Sequence, residues 1–454
     1  MPAQWTTTAL KEIVKIIRGV TFPASSKSYE CSDNHIACLR TSHVQNKLLW
    51  SDLYYIPRTY IKREEQIIKK HDIVMSMANS SNLVGKVCIN DTENDACFGA
   101  FLSAIRCKTA NVKFIYYFLR SSDAQQILKS KASQTVNIAN ISVETLENLE
   151  VPFPPLAEQI RIAQKLDELL AQVDTLKARI DGIPALLKRF RQSVLAAAVS
   201  GRLTEEWRAT TSLGEPQASW QETKLSEHCS LVTSGSRGWA DYYSDNGAIF
   251  IRSQDINTDD LNLTDTAFVK LPNSSEGKRT RVQVQDILIT ITGANVGKVA
   301  RVKQTLPEAY VSQHVALVRL QNPEYACFIE LYLKDIGSGR GQLTKLAYGG
   351  GKPGLNLSNI RDLVFALPPR DEQTEIICRI EQLFAFADQL EAKVKTAQAR
   401  IDQLTQSILA KAFRGELVPQ DPNDEPASVL LERIKAQRAA EPKAKRSRKK
   451  AEIL

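Results

Sequence analysis

Pro154-Pro155-Leu156-Ala157-Glu158-Gln159 returns 214 residues later as Pro368-Pro369-Arg370-Asp371-Glu372-Gln373. The same offset holds without a gap to Gly201-Arg202-Leu203 and Gly415-Glu416-Leu417, and 18 of the 50 paired positions are identical. A match of that length marks an internal repeat, the feature to settle before any local reading. Weaker echoes precede each block. Trp5 and Leu10 match Trp220 and Leu225, and Leu39-Arg40 matches Ile251-Arg252. Asp72-Ile73-Val74 matches Asp286-Ile287-Leu288, and Val84-Gly85-Lys86-Val87 matches Val296-Gly297-Lys298-Val299. The chain is two copies of one unit, a variable globular part followed by a shared block.

The shared block reads as a long amphipathic helix. From Arg370 to Arg414 there is no Gly or Pro, and apolar residues recur in steps of three and four from Ile376 through Leu409. Such a helix is roughly 65 Å long at 1.5 Å per residue and stops naturally at Gly415. The first copy carries the same stripe, interrupted at Gly182 and Pro184, where a kink is expected. A long helix with one apolar face needs a partner, and an antiparallel pairing of the two copies is the simplest arrangement.

The expected fold class is α+β: two mixed α/β globular parts separated by two long helical spacers that form an antiparallel coiled coil. The divisions are 1–153 and 220–367 for the globular parts, 154–208 and 368–420 for the helical blocks, 209–219 for a polar linker, and 421–454 for a tail with a short helix and then a basic disordered end. Strand-like runs include Asp72–Met77, Gly85–Ile89, Phe101–Arg106, Ala248–Ile251, Asp286–Thr292 and Ala316–Leu320; Lys113–Leu119 and Ala326–Leu333 read as helices. Each globular part closes with an apolar strand running into Pro-Pro, and the proline opens the next helix.

Composition excludes several classes. The chain has 454 residues, of which 43% are hydrophobic and 7% aromatic, a globular balance. No stretch approaches the ~20 apolar residues of a membrane span, and the N-terminus lacks a secretory apolar run, so a cytoplasmic protein is expected. Eight cysteines without a CxxC pair are expected to be small buried thiols rather than disulfides or zinc ligands. The net charge of +8 is concentrated at the end: Arg433 to Leu454 carries nine basic and two acidic residues. Beyond Glu441 such a composition cannot support a fold, and it suits a phosphate-binding arm or a solubilising tail.

No catalytic constellation is evident. Gly293-Ala-Asn-Val-Gly297-Lys298-Val299 is one residue short of a P-loop and ends in Val. There is no Pro-Pro-Tyr or Pro-Pro-Phe amino-methyltransferase signature. The five histidines (35, 43, 71, 228, 314) lack metal-ligand spacing and read as structural or solvent-facing. Asp72 and Asp286 lack the Glu/Asp-x-Lys partner of a nuclease and read as caps at the start of a strand.

What remains are polar loops suited to DNA. In the first part these are Arg18–Lys27, Ser76–Asn82 and Ser133–Asn140; in the second, Ser234–Trp239, Thr290–Lys298 and Tyr348–Asn356. Gly and Ser permit close backbone approach, while Arg, Lys, Asn and Gln can hydrogen-bond base edges. The candidate contacts are Arg18, Lys27, Asn79, Ser80, Asn82, Gln134 and Asn137 in the first part. In the second they are Arg237, Asn295, Lys298, Lys352 and Asn356. Arg40 and Arg252 recur at matching positions, as phosphate contacts or as ion pairs inside the fold.

These features together resemble the specificity subunit of type I restriction–modification enzymes. Lys188-Arg-Phe-Arg-Gln-Ser-Val-Leu195 with Gly201–Trp207, and Leu404-Thr-Gln-Ser-Ile-Leu-Ala-Lys-Ala-Phe-Arg-Gly-Glu-Leu417, are similar to the spacer motifs of its type IA branch. The resemblance spans about 5–440. It implies that each globular part is a target recognition domain reading half of a split, asymmetric double-stranded DNA site, with the helical spacers fixing the half-site distance. It further implies docking of two modification subunits, which use S-adenosylmethionine to methylate adenine N6, and of restriction subunits that use ATP and Mg. The chain itself would bind no cofactor, and no membrane. Two other readings predict different behaviour. A stand-alone DNA-modifying enzyme would act as the purified chain, and a coiled-coil scaffold would assemble without selective DNA binding.

Overall fold

The structure, a computed structural model, describes residues 2–134, 138–211, 219–271, 278–349 and 353–440. It divides into two compact units, one of residues 1–180 and 396–454, the other of residues 181–395.

In the first unit, Val14–Arg18, Leu102–Cys107, Ile73–Ser76 and Val87–Ile89 form, in that order, an antiparallel sheet. A second sheet orders Tyr54–Pro57, His35–Leu39 and Ala96–Phe98, the last pair parallel. The second unit repeats both. Cys229–Ser234, Val315–Leu320, Ile287–Thr290 and Val299–Arg301 make the first sheet, and Ala248–Ile251 pairs in parallel with Ala309–Val311 in the second. Successive side chains of a strand face opposite ways. Accordingly Ile73 and Met75 join one apolar cluster and Val74 another, as Ile287 and Ile289 do against Leu288. A sheet covered on both faces explains why these strands read as unbroken apolar runs. Asp72 and Asp286 accept Lys69 N–H and Gln283 N–H at the strand starts, at 2.8 and 2.7 Å. Each also takes a two-pronged guanidinium, from Arg106 and Arg319 respectively.

The two long helices, Leu156–Val199 and Arg370–Phe413, are each 44 residues. The first helix continues through Gly182 and Pro184 without a break, and the two are equal in length. Pro184 forfeits one backbone hydrogen bond at a cost of ~3 kcal/mol, and buried Leu187, Val194 and Leu195 lie on its C-terminal side. The helices pair antiparallel within each unit. In the first, Lys177 meets Asp402 at 2.7 Å, and Leu166 and Leu170 share a cluster with Leu409 and Ala412. In the second, Arg191 meets Asp388 and Glu391, and Val194, Leu195 and Ala198 share a cluster with Ile376 and Ile380. Both helices end two residues before a glycine of positive φ, Gly201 and Gly415.

The repeated box locks each globular part to its helix. Strand Thr6–Ala9 pairs with Glu150–Phe153, and Gln221–Lys224 with Val364–Leu367. Just before those first strands, Trp5 donates its indole N–H to buried Glu158 at 2.9 Å and Trp220 to buried Glu372 at 2.8 Å. Gln159 and Gln373 turn back to donate to the carbonyls of Pro154 and Pro368. Glu372 also accepts from Thr204 at 2.7 Å and pairs with buried Arg208. Glu158 takes only the Trp5 N–H among the described residues, and burial pushes its carboxyl above the ordinary value.

Several details depart from the sequence expectations. A helix, Glu205–Thr211, runs into the stretch read as linker, 209–219. Cys31 and Cys378 are exposed, not buried, although all eight cysteines are free. Cys378 lies between Ile376 and Ile380 in sequence but on the opposite helical face. Within the tail, where a short helix is expected, Ala427–Ala440 is helical, and its Leu430, Leu431 and Ile434 pack into the core of the first unit. No helix among the described residues is long and apolar enough to cross a membrane.

Glu372→Gln should lower the urea-unfolding free energy by about 3 kcal/mol, because it leaves Arg208 buried without its counter-charge. Glu158→Gln, with no such cation bonded to it, should change it by less than about 1 kcal/mol. Equal losses in the two variants would refute the difference.

Candidate nucleic-acid interface

In the first unit three polar loops are fastened to one turn, Gly99–Leu102. The loop from Arg18 enters through Gly19 N–H to Leu102 O at 3.2 Å and Val20 N–H to Phe98 O at 2.7 Å. The loop after Ser76 enters through Met77 N–H to Phe101 O at 2.8 Å. The third reaches it at one remove, through Ile141 N–H to Met77 O at 2.8 Å and the pairing of Ala139 and Asn140 with Asn79 and Ala78. Arg18, Ala100, Ser103 and Asn140 line one cavity of about 250 Å³. Phe22, Lys27, Arg40, Tyr54 and Phe101 line another of about 420 Å³. Lys27 and Arg40 both lie over the Tyr54 ring, at 5.2 and 5.3 Å, in cation–π contact.

The second unit builds the same convergence from a different sequence. Gly235 N–H reaches Ser312 O at 3.3 Å, Ile291 N–H reaches His314 O at 2.9 Å, and Leu355 N–H reaches Ile291 O at 2.8 Å. A cavity of about 310 Å³ is lined by Trp239, Tyr243, Arg252, Gln254, Gln313 and His314. Where the first cleft is largely aliphatic and aromatic around two cations, the second presents amides, an imidazole and hydroxyls.

The candidate residues divide on this frame. Arg18, Lys27, Ser80, Asn82 and Arg237 are exposed on the converging loops, and Asn79 is half-buried beside them, its side chain accepting Ser80 N–H. Gln134 lies on the short strand paired with Ala139. Asn137 and Lys352 lie outside the described residues, as does the basic end from 441. Other candidates serve the fold. Asn356 caps the helix Leu357–Arg361 by accepting Asn359 N–H at 2.8 Å, and Asn295 donates to Ser253 O at 3.2 Å. Lys298 pairs with Asp259 at 3.2 Å. Burial pushes the Asp259 carboxyl up, but Val299 N–H, Arg340 and Lys298 outweigh it and hold the group below its ordinary value.

Arg252 is mainly an internal ion pair, bound to Asp255 through Nε at 3.2 Å and Nη2 at 3.0 Å. That hydrogen bonding holds its guanidinium above its ordinary value. Arg40 instead donates to Asp52 O and stacks on Tyr54. Its neighbour His43 accepts Arg40 N–H at 2.8 Å, as Asp255 accepts Arg252 N–H at 2.7 Å. Burial, then the Arg40 charge, pushes His43 below its ordinary value, consistent with a neutral acceptor ring. The Val-Gly-Lys echo is a turn: Gly85 and Gly297 have φ of 84° and 82° and donate to Ser76 O and Thr290 O. Sequence reasoning passed over Phe101, Gln254 and Gln313 and read His314, with the other histidines, as structural or solvent-facing. The one signal for Phe101, Gln313 and His314 is position, immediately before the repeated strands Leu102–Cys107 and Val315–Leu320, and for Gln254 it is adjacency to the repeated Ile251-Arg252.

Comparison with known proteins decides the family. A model described as the type I restriction modification DNA specificity domain matches twice, over residues 2–185 and 218–398. The chain belongs to the type I restriction–modification specificity-subunit family. It is 36% identical to the StySPI specificity subunit of Salmonella potsdam and 35% identical to the EcoKI specificity subunit of Escherichia coli K12, over 99% of each chain in both cases. Its fold matches a chain from a type I R-M complex at a TM-score of 0.62, with 17% identity over 92% of this chain and 99% of the other. It also matches the HsdS subunit of Thermoanaerobacter tengcongensis at 0.56, with 18% identity over 92% and 98%. As a specificity subunit of a type I system, the chain carries its family domain twice, and each copy contains one convergence of three loops.

Asn356→Ala should cost about 1 kcal/mol of stability, as the loss of a helix cap does, whereas Arg237→Ala should leave the thermal midpoint unchanged. Calorimetry of both variants distinguishes a cap from a free surface cation.

Proposed function

We propose that this chain reads a bipartite, asymmetric DNA site, one half with each globular part, and directs adenine-N6 methylation or restriction by partner subunits. The observation that carries this is the paired loop convergence: one backbone frame occurs twice in a single chain with unlike side chains. Two identical readers would favour a palindrome, as dimeric readers do; two unlike readers favour a non-palindromic site. The long helices set the half-site separation and dock two modification subunits, and restriction subunits join that complex. S-adenosylmethionine, ATP and magnesium act on those partners, and extrusion of the adenine belongs to the methyltransferase subunit. The chain supplies specificity and no catalytic group of its own.

Methylome sequencing tests this in a methylation-free host expressing this chain with its modification subunit, against the modification subunit alone. The expected result is a split motif with N6-methyladenine on both strands, present only with this chain. Motif-independent methylation, or none, would overturn the reading.

The end of the chain adds a second test. Residues 441–454 hold six basic and two acidic side chains, whereas Leu430, Leu431 and Ile434 before them are buried. Truncation after Ala440 should reduce the slope of log affinity against log salt by several charges, at about 0.9 per phosphate contact, while the methylated motif stays the same. An unchanged slope would mark the end as a solubilising tail.

A further inference from the structure

We propose that Phe101 and His314 are the central base-reading positions of the two globular parts, Phe101 by non-polar contact and His314 by a hydrogen bond. The inference rests on the DNA-reading function above and assigns the chemistry by which each half discriminates.

Both residues occupy one place in the repeated frame. Each backbone carbonyl accepts the N–H that anchors the second loop, Met77 to Phe101 O and Ile291 to His314 O. Each lies on the turn that anchors the first loop, through Gly19 or Gly235. Those glycines fix the approach, because a Cβ at Gly19 would fall 2.1 Å from Gly99 O and one at Gly235 2.2 Å from Val311 O. The backbones therefore touch, and each turn is held by the fold rather than by its own side chain. That leaves position 101 or 314 free to vary without loss of the frame.

The side chains differ in what they offer. Phe101 is 64% exposed, yet it also lines the larger cavity. A single exposed aromatic needs no explanation by itself; one at the meeting point of three polar loops offers a base a non-polar surface there, suited to a thymine methyl or a base face. His314 is oriented by Thr292, whose hydroxyl hydrogen-bonds Nδ1, and its Nε2 hydrogen-bonds the exposed Gln313 amide at 3.2 Å, a surface bond that a base edge can replace. It brings a fixed imidazole and a neighbouring amide to the same place, a hydrogen-bonding edge for a polar base edge.

The test compares methylomes of the assembled complex carrying the wild-type chain, Phe101→Ala, Phe101→Leu, His314→Ala or Tyr29→Ala. Phe101→Ala should relax one or two adjacent positions of one half-site, with at least about a fivefold loss of preference, the lower range for a specific base contact. Phe101→Leu should retain part of that preference. His314→Ala should relax the other half-site alone, and spacing should not change. Tyr29 is 77% exposed but outside the convergence, so Tyr29→Ala should leave the motif intact. Unchanged preference in both Ala variants, or relaxation of the same half by both, would overturn the proposal. Should Phe101→Ala fail to assemble, Phe101→Leu and His314→Ala decide it. A wild-type chain giving no split motif would instead refute the DNA-reading function itself.

Discussion

The fold hangs on a buried hydrogen bond from a tryptophan to a glutamate, made once in each half. An indole N–H can only donate, and an ionised carboxylate can only accept. Burying both obliges them to meet, since an unmet buried charge costs several kcal/mol. Trp5 and Glu158, or Trp220 and Glu372, lie more than 150 residues apart in the chain. Their bond therefore closes the whole globular part onto the start of the helix that follows. The flanking strand pairs, Thr6–Ala9 with Glu150–Phe153 and Gln221–Lys224 with Val364–Leu367, continue the same closure. With its ends tied to one point, each globular part can change its loops without changing how it leaves the chain.

The two clamps differ in electrostatics. Glu372 is satisfied by Trp220, Thr204 and Arg208. Glu158 has one buried oxygen without a donor among the described residues. Burial then works against its charge, and its carboxyl rises. The first half compensates elsewhere: Arg161, one turn along the same helix, pairs with Asp424 at 2.7 Å. The helix Ala427–Ala440 begins just beyond that contact and adds Leu430, Leu431 and Ile434 to the core. An acidic residue that follows the second long helix thus braces the start of the first.

How much of this could be read in the sequence follows from which forces are local. The long helices were legible because an apolar stripe of period 3.6 is written in consecutive residues. The Trp and Glu echoes were visible as repeats, but their bond was not, since nothing local says that residues so far apart must touch. At Pro184 the local cost is legible in the sequence, while the packing that keeps the helix continuous through it comes from the partner helix. At the candidate interface, exposed Arg18 and Arg237 matched the reading of polar loops. Lys298 did not, because Asp259 and its charge arrive from a different loop. Arg252 was left open between two roles, and it pairs with Asp255 three residues on while also lining the cleft. Cys378 shows the same lesson in reverse: Ile376 and Ile380, two residues to either side, are buried, and only the helical phase exposes it.

The repeat also explains how a reader can be varied safely. In each unit the turn between two strands is held by main-chain hydrogen bonds and by a glycine whose missing side chain allows contact. Main-chain bonds do not depend on the identity of the residue that makes them. The cost of changing the side chain at that turn is therefore confined to the side chain's own contacts. For Phe101 these are few, since most of its surface is exposed. For His314 they are the bond to Thr292 and the approach of Gln313, both made within the same cluster of loops. A change there alters what the cleft offers a ligand and leaves the sheet beneath it untouched. The central strands could not vary this way, because Ile287, Leu288 and Ile289 each fill a core on one face or the other. Stability and recognition are thus assigned to different atoms of the same turn, backbone for the first and side chain for the second.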